Sequence, residues 1–87
     1  MTTPKAQVLR DQLTRELAPE RVEIRDDSAL HAGHAGALEG GHFHVVIVSS
    51  RFQGLTPLAR HRLVYEALGD LKTLGVHALS IDARLPS

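Results

Sequence analysis

The stretch HFHVVIVSS, residues 42–50, limits the possible folds of this 87-residue chain more than any other segment. Its β-branched centre, VVIV, is apolar at consecutive positions, so the side chains on both faces of the strand favour burial. We therefore expect an inner strand of a sheet, with at least one face fully covered by another layer. The rest of the chain must then provide the neighbouring strands and that covering layer.

The first helix is predicted from a regular leucine spacing. Leu9, Leu13 and Leu17 recur every four residues and form one apolar stripe. The pair Thr3–Pro4 supplies an N-cap and a proline at the first helical position. The helix ends shortly before Pro19, which cannot continue it.

The second helix is predicted from about Pro57 to Leu71, and it also opens on a Thr-Pro pair. Val64, Leu68 and Leu71 form its apolar stripe, and His61 continues that stripe at helical spacing. The simplest interpretation of His61 is therefore a half-buried helix residue.

Two further segments alternate apolar and polar residues, as strands with one exposed face do. They are residues 20–28, ERVEIRDDS, and residues 76–84, VHALSIDAR. In the second segment, Leu79 and Ile81 define the buried face, and His77 shares their parity at the beginning of the strand.

The predicted order is α-β-β-α-β within one domain spanning residues 1–87. This order favours an α+β fold, a two-layer α/β sandwich in which two helices cover one face of a three-stranded mixed sheet. The second and third strands are joined across a helix, which favours parallel pairing by a right-handed crossover. The first two strands are joined without a helix and are expected to be antiparallel.

Composition narrows the possible functions. Ten basic and ten acidic residues cancel, so no global positive field attracts nucleic acid or an anionic membrane. The absence of cysteine excludes disulfides and any thiolate metal site made by this chain alone, and it suits a cytoplasmic protein. We see neither a secretory signal nor an apolar run that could span a bilayer. No set of nucleophile, base and orienting residue is present, so we do not expect an enzyme.

The connection over residues 28–41, SALHAGHAGALEGG, lacks helical or strand periodicity. Connections of this length are uncommon in compact domains and are often functional. It contains His31 and His34. If the strand order brings one of them to His77, the two imidazoles form half of a Rieske-type site that thiolates from another molecule would complete. The alternative is that the loop histidines are solvated and His77 is a packed strand residue.

A modest basic patch surrounds the second helix, with Arg51, Arg60 and Arg62 as its main members and His61 between the last two. The neutral net charge and the absence of paired aromatic residues on the strands favour an exposed helix face over a nucleic-acid interface.

Four motifs follow one another in order: HF, IVSSRFQG, RHRLVY and VHAL. Together with the loop S-x-x-H-A-G-H-A-G, they resemble the BolA family from about Arg21 to Ala83. The resemblance implies a fold similar to the class II KH fold and a monothiol glutaredoxin as partner. It also implies a bridging [2Fe–2S] cluster, for which the glutaredoxin brings its cysteine and a glutathione thiolate. This chain would bring His77 and either His31 or His34.

The resemblance leads to one main hypothesis and one alternative. The main hypothesis is an adaptor in iron–sulfur cluster trafficking or iron and redox sensing, with no cluster bound by the isolated chain, which is expected to be a monomer or weak dimer. The alternative is a DNA-binding transcriptional regulator of stress and morphology genes, as bacterial BolA implies. Its contacts would lie within RFQGLTPLARHR, at Arg51, Arg60, His61 and Arg62.

Overall fold

The computed structural model of the chain describes residues 4–27 and 41–86. The α+β class and the order of the predicted helices and strands are confirmed, with two short helices in addition. In chain order the elements are α1 (Pro4–Leu17), β1 (Arg21–Asp26), β2 (Gly41–Val48), a 3₁₀ turn (Ser50–Phe52), α2 (Pro57–Leu68), α3 (Leu71–Leu74) and β3 (Val76–Arg84).

The three strands form one mixed sheet in the order β1-β2-β3, so β2 is the central strand as predicted. β1 pairs with β2 antiparallel, and β3 pairs with β2 parallel. One face of β2, formed by Phe43, Val45 and Ile47, is buried in the core. The residues that alternate with them face the other side of the sheet and remain partly exposed, which gives the strand one fully covered face.

The helix α1 covers the sheet with the stripe that the leucine spacing predicts. Leu9 and Leu13 are fully buried, and Leu17 and Ala6 are nearly so. They join the buried face of β2 in one hydrophobic core. The predicted cap Thr3 lies outside the described residues. No helix within residues 4–27 and 41–86 is long and apolar enough to cross a membrane.

The helix α2 ends at Leu68, three residues earlier than the apolar spacing predicts. Gly69 adopts a φ of 75° and stops the helix, a conformation that glycine reaches without a steric penalty. Asp70 then starts the separate helix α3 by accepting a hydrogen bond from the backbone N–H of Lys72. The prediction was wrong here because Leu71 continues the helical spacing although it belongs to the next helix.

The position of His61 also differs from the prediction. The buried residues of α2 are Val64, Ala67 and Leu68, whereas His61 is exposed. Leu63 also packs against the core, so the buried face of α2 is turned away from His61. His61 is therefore a surface residue and not part of the core.

A buried hydroxyl ties the end of α1 to the end of β2. Ser49 is inaccessible to solvent, and its Oγ donates a hydrogen bond to the carbonyl of Leu17 (2.9 Å). The same Oγ accepts a hydrogen bond from the backbone N–H of Arg51 (3.1 Å). The last carbonyls of a helix have no partner within the helix, so this serine satisfies one of them where water is excluded.

We expect Ser49→Ala to lower the free energy of unfolding by about 1–3 kcal/mol, because the buried carbonyl of Leu17 loses its donor. Urea denaturation followed by circular dichroism measures the change. The matched control is Ser50→Ala, an exposed neighbour, for which we expect a change within about 0.5 kcal/mol. Equal stabilities of Ser49→Ala and the wild type would contradict this role of the hydroxyl.

Candidate functional site

An irregularity in strand pairing lies at the beginning of β3. Gly41 pairs with Val76, but the next residue of β2, His42, pairs with Ala78. His77 is therefore an extra residue on β3, as in a β-bulge, and a bulge redirects the side chain that it contains. Val76 is buried in the core, whereas His77 is exposed.

The bulge corrects the predicted orientation of His77. Counting back in twos from Ile81 and Leu79 places His77 on their face, which packs against the core. The extra residue breaks that alternation, so Val76 takes the core position. His77 is consequently accessible to solvent. The alternative interpretation, in which His77 is a packed strand residue, is therefore wrong.

The exposed ring of His77 lies next to a second imidazole, that of His42. The two ring centroids are 5.2 Å apart, and the ring planes are inclined at 46°. His42 is half-buried and alternates with Phe43, whose side chain is in the core. The pair therefore lies at the end of the sheet where β2 and β3 both begin.

The sequence reasoning did not select His42. Its parity relative to Phe43 and Val45 already predicts a side chain facing away from the core. Its proximity to His77 additionally depends on the strand order and on the bulge, and neither can be read from spacing.

Both ends of the glycine-rich connection are hydrogen-bonded near this histidine pair. The backbone N–H of Asp27, which follows β1, donates to the carbonyl of His42 (2.7 Å), and that of Gly41 donates to the carbonyl of Gly75 (3.0 Å). The strand order thus brings the described ends of the connection to the beginning of β3. His31 and His34 lie outside the described residues, and their approach to His77 stays a prediction.

Each ring of the pair lines a shallow depression. The depression at His42 has a volume of about 210 Å³, and the one at His77 has a volume of about 400 Å³. The first is lined by Asp27, His42, Phe43, Ala78, Leu79 and Ser80, and the second by Lys72, Gly75, Val76 and His77. The exposed ring of His77 is therefore open to a ligand or to a docking surface.

The charged side chains on the same face of the sheet are paired with one another. A hydrogen bond from Arg84 holds the pKa of Asp82 below its ordinary value, and the charge of His44 adds to the effect. His44 in turn forms a hydrogen bond with Ser80, with 3.0 Å between Nδ1 and Oγ. The carboxylate of Asp82 is thus already paired with the guanidinium of Arg84.

The side chains that could ligate a metal here would form only part of a metal centre. Within the part of the chain that the structure describes, no three histidine, aspartate or glutamate side chains form a group that could hold a metal ion. The full sequence has no cysteine. Two imidazoles match the nitrogen-ligated half of a Rieske-type [2Fe–2S] centre, in which thiolates hold the other iron. The residues present therefore fit a cluster only if another molecule supplies sulfur.

The predicted basic residues differ in their contacts and exposure. The Nε of Arg60 donates to the carbonyl of Leu55 (3.0 Å) and braces the turn before α2. Arg62, two positions further on, projects from a different side of the helix. Arg51, His61 and Arg62 are exposed and could contact another molecule. The guanidinium of Arg60 is instead engaged in its hydrogen bond within the domain.

Comparisons with known proteins agree on one family. The family described as "BolA-like protein" matches residues 13–87. The chain is 46% identical over 84 residues to BolA-like protein 1 of Mus musculus, a match that covers 97% of this chain and 60% of that protein. The chain therefore spans about 60% of the length of this curated relative.

A bacterial relative and a solved structure extend the comparison. The chain is 40% identical over 74 residues to the DNA-binding transcriptional regulator BolA of Vibrio cholerae, covering 85% of this chain and 68% of that protein. The BolA domain of SufE1 from Arabidopsis thaliana superposes with a TM-score of 0.84 at 43% identity, covering 99% of this chain and 96% of that domain. The three-stranded mixed sheet with its helices is thus the arrangement of solved BolA structures.

We expect Gly41→Ala to disturb the histidine pair. A Cβ at this buried position would lie 2.3 Å from the ring of Phe43, and that ring is held in the core. The start of β2, including His42, must then move, at a cost of about 1–3 kcal/mol in the free energy of unfolding. Urea denaturation measures the cost, and the NMR signals of the His42 and His77 rings report the displacement.

The control for this prediction removes the Phe43 ring that the new Cβ would contact. In a Phe43→Leu background, adding Gly41→Ala should cost less stability and shift the ring signals less than it does in the wild type. Ring signals that stay unchanged in Gly41→Ala would contradict the predicted displacement of the pair.

Proposed function

The chain belongs to the BolA family, and on that basis we propose that it is a non-enzymatic adaptor for a monothiol glutaredoxin. In this proposal the two proteins share a bridging [2Fe–2S] cluster, which serves cluster trafficking or iron and redox sensing. The glutaredoxin and glutathione supply the sulfur ligands, and this chain supplies nitrogen.

The observation that carries the proposal is an exposed His77 at the end of the sheet, in a chain without any thiol. A neutral imidazole can ligate iron, but an iron–sulfur cluster needs further ligands that include sulfur. Such a chain can take part in cluster chemistry only as one half of a complex. The bulge that exposes His77 makes this nitrogen accessible from outside the domain.

The second ligand is assigned to the glycine-rich connection, as His31 or His34. Support for this assignment comes from the anchors of the connection, because Asp27 and Gly41 are hydrogen-bonded to His42 and Gly75 beside His77. The described ends of the segment that carries both candidates are therefore fixed beside His77.

The test is a titration of the chain into cluster-loaded monothiol glutaredoxin with glutathione. We expect new features in visible absorption and circular dichroism with the wild type and their loss with His77→Ala. His31→Ala and His34→Ala, made separately, identify the loop ligand, because only one of them should reproduce the loss. His61→Ala is the control, since this exposed histidine on α2 should leave the spectrum unchanged. A wild-type chain that leaves the spectrum unaltered would refute the proposal.

A second candidate function, binding to DNA, is favoured by the name of the Vibrio cholerae relative. We propose for it the exposed side chains Arg51, His61 and Arg62, which follow the central strand and lie on the 3₁₀ turn and α2. Because the net charge is zero, binding would depend on these local contacts and would weaken steeply with salt. Arg60 is given a supporting role, since its guanidinium bonds the carbonyl of Leu55.

Fluorescence anisotropy with promoter DNA at several salt concentrations tests this second function. Arg51→Ala and Arg62→Ala should each reduce the salt dependence by about one phosphate contact and weaken binding to all sequences alike. The control is Arg15→Ala, which removes an exposed arginine of α1. No saturable binding at moderate salt, or equal losses with Arg15→Ala, would eliminate DNA binding through α2.

A further inference from the structure

We propose that the outer edge of β3 is a surface for self-association, on which a second copy of this chain adds its own β3 in antiparallel orientation. The two three-stranded sheets then join into one six-stranded sheet. This inference does not depend on the proposed function, because it concerns the free edge of the sheet and not the ligation of a cluster.

The edge strand β3 presents a row of backbone groups without a neighbouring strand. The backbone N–H of Ser49 donates to the carbonyl of Arg84 (3.1 Å), so the peptide groups of Arg84 are directed towards β2. Alternation along the strand therefore directs the N–H and C=O groups of Leu79, Ile81 and Ala83 to the outer side. Within residues 4–27 and 41–86, no strand pairs with that side. Such a row of groups is a template for pairing with another chain.

The opposite edge of the sheet, formed by β1, is better protected. β1 has six residues, against nine in β3, and the Nη1 of Arg10 donates to its Val22 carbonyl (2.8 Å). Short length and covered backbone groups are devices by which proteins prevent edge pairing. β3 contains no proline, and its charged residues Asp82 and Arg84 are paired with each other. It is therefore the edge that can accept another strand.

The side chains of β3 select one register for this pairing. Antiparallel pairing requires the outward-facing residues of the two copies to lie opposite one another. The register centred on Ile81 pairs Ile81 with itself and Leu79 with Ala83 of the second copy, so it uses all three outward-facing residues. It also places Ser80 opposite Asp82 of the second copy, where no like charges meet. A register centred on Asp82 puts two carboxylates directly opposite each other, which is destabilising.

The apolar side chains of β3 are less completely covered than those of the central strand. Leu79, Ile81 and Ala83 pack against the core but remain partly exposed, whereas Val45 and Ile47 of β2 are inaccessible to solvent. The two-fold axis of the proposed strand pair is perpendicular to the sheet, so the helices of both copies lie on the same face. The second copy therefore covers this apolar area, and its burial favours association.

The helix α2 adds exposed apolar side chains to the same edge. Leu63 and Ala67 of α2 line a depression with Leu17 of α1, so this flank of α2 faces α1. Because α1 contacts β1 and α2 contacts β3, the opposite flank of α2 is turned towards the outer edge of β3. It carries Leu58 and Tyr65, which are 61% and 41% exposed. In the joined sheet these flanks of the two copies face each other across the two-fold axis.

The first test is sedimentation velocity of the full chain over a range of concentrations. We expect a reversible equilibrium between monomer and dimer. Ser80→Asp should raise the dissociation constant roughly 3- to 30-fold, because it creates two pairs of directly opposed carboxylates with Asp82. The matched control is Ser80→Lys, which also removes the hydroxyl but places an opposite charge across from Asp82. It should leave the dissociation constant unchanged or lower it.

A second pair of variants tests the backbone of the edge. Ala83→Pro removes an outward-facing N–H, which an edge strand tolerates without losing its inner pairing. It should raise the dissociation constant about tenfold or more, since one hydrogen bond is lost in each copy. Ala83→Ser keeps the N–H and serves as the control. Urea denaturation of both variants establishes that any loss of dimer is not a loss of the fold.

The contribution of α2 is measured by Leu58→Ser and Tyr65→Ser. Each removes an exposed apolar side chain from the flank beside β3 and should raise the dissociation constant. The control is Val8→Ser, which changes an exposed apolar residue of α1 (48% exposed). It should leave the equilibrium unchanged. Equal effects of the three substitutions would contradict the assigned place of α2 in the interface.

NMR of a mixture of isotope-labelled and unlabelled chains tests the register directly. In the proposed dimer, the Hα atoms of Ser80 and Asp82 of the second copy point at each other across a non-hydrogen-bonded pair. We expect an intermolecular NOE between these two protons. Within one extended strand the Hα atoms of residues 80 and 82 are too far apart to give it.

Three outcomes would overturn the inference. One is a wild-type chain that stays monomeric up to about 1 mM. Another is a dimer that Ser80→Asp and Ala83→Pro leave unchanged, since its interface must lie elsewhere. The third is a monomer in which the amides of Leu79 and Ile81 are protected from hydrogen exchange, because another part of the same chain then covers the edge.

Discussion

The parallel pairing of β2 with β3 determines where His42 and His77 lie. Parallel strands begin at the same end of a sheet, so the start of β2 and the start of β3 are necessarily neighbours. The glycine-rich connection enters β2 at that end, and VHAL begins β3 there. Gly41 and Val76, more than thirty residues apart in the sequence, are thus neighbours because of one strand pairing, and the apolar centre of β2 stabilises that pairing.

The bulge at His77 adds the second requirement, which is access. In a regular ladder, the histidine would share the face of Leu79 and be directed into the core. A buried, neutral imidazole there could not reach a partner molecule. The extra residue transfers the core position to Val76 and leaves the histidine exposed beside His42. The bulge therefore leaves His77 out of the pairing between β2 and β3 and makes its imidazole accessible at the end of the sheet.

Sequence patterns predicted those parts of the structure that repeat. The four-residue spacing in α1 identified its buried face correctly, and the apolar centre of β2 predicted an inner strand with a covered face. The presence or absence of a helix in each connection indicated parallel or antiparallel pairing. Two errors occurred where a single residue breaks a repeat, at Gly69 within the helical spacing and at His77 within the strand alternation. A third concerns His61, which follows the helical spacing but is exposed. The proximity of His42 to His77 was also missed, since a contact between strands depends on register and not on spacing within either strand.

The two functions proposed for this family member draw on different parts of the fold, which bears on whether one chain can perform both. The exposed Arg51 and Arg62 lie on the 3₁₀ turn and α2, after the end of β2, whereas the histidine pair lies where β2 begins. An eight-residue strand separates these two ends by about 25 Å. Direct electrostatic effects between them are largely screened at physiological salt, where the Debye length is about 8 Å. Any influence of a metal on DNA binding must therefore pass through the packing of the sheet or through a partner that covers both ends.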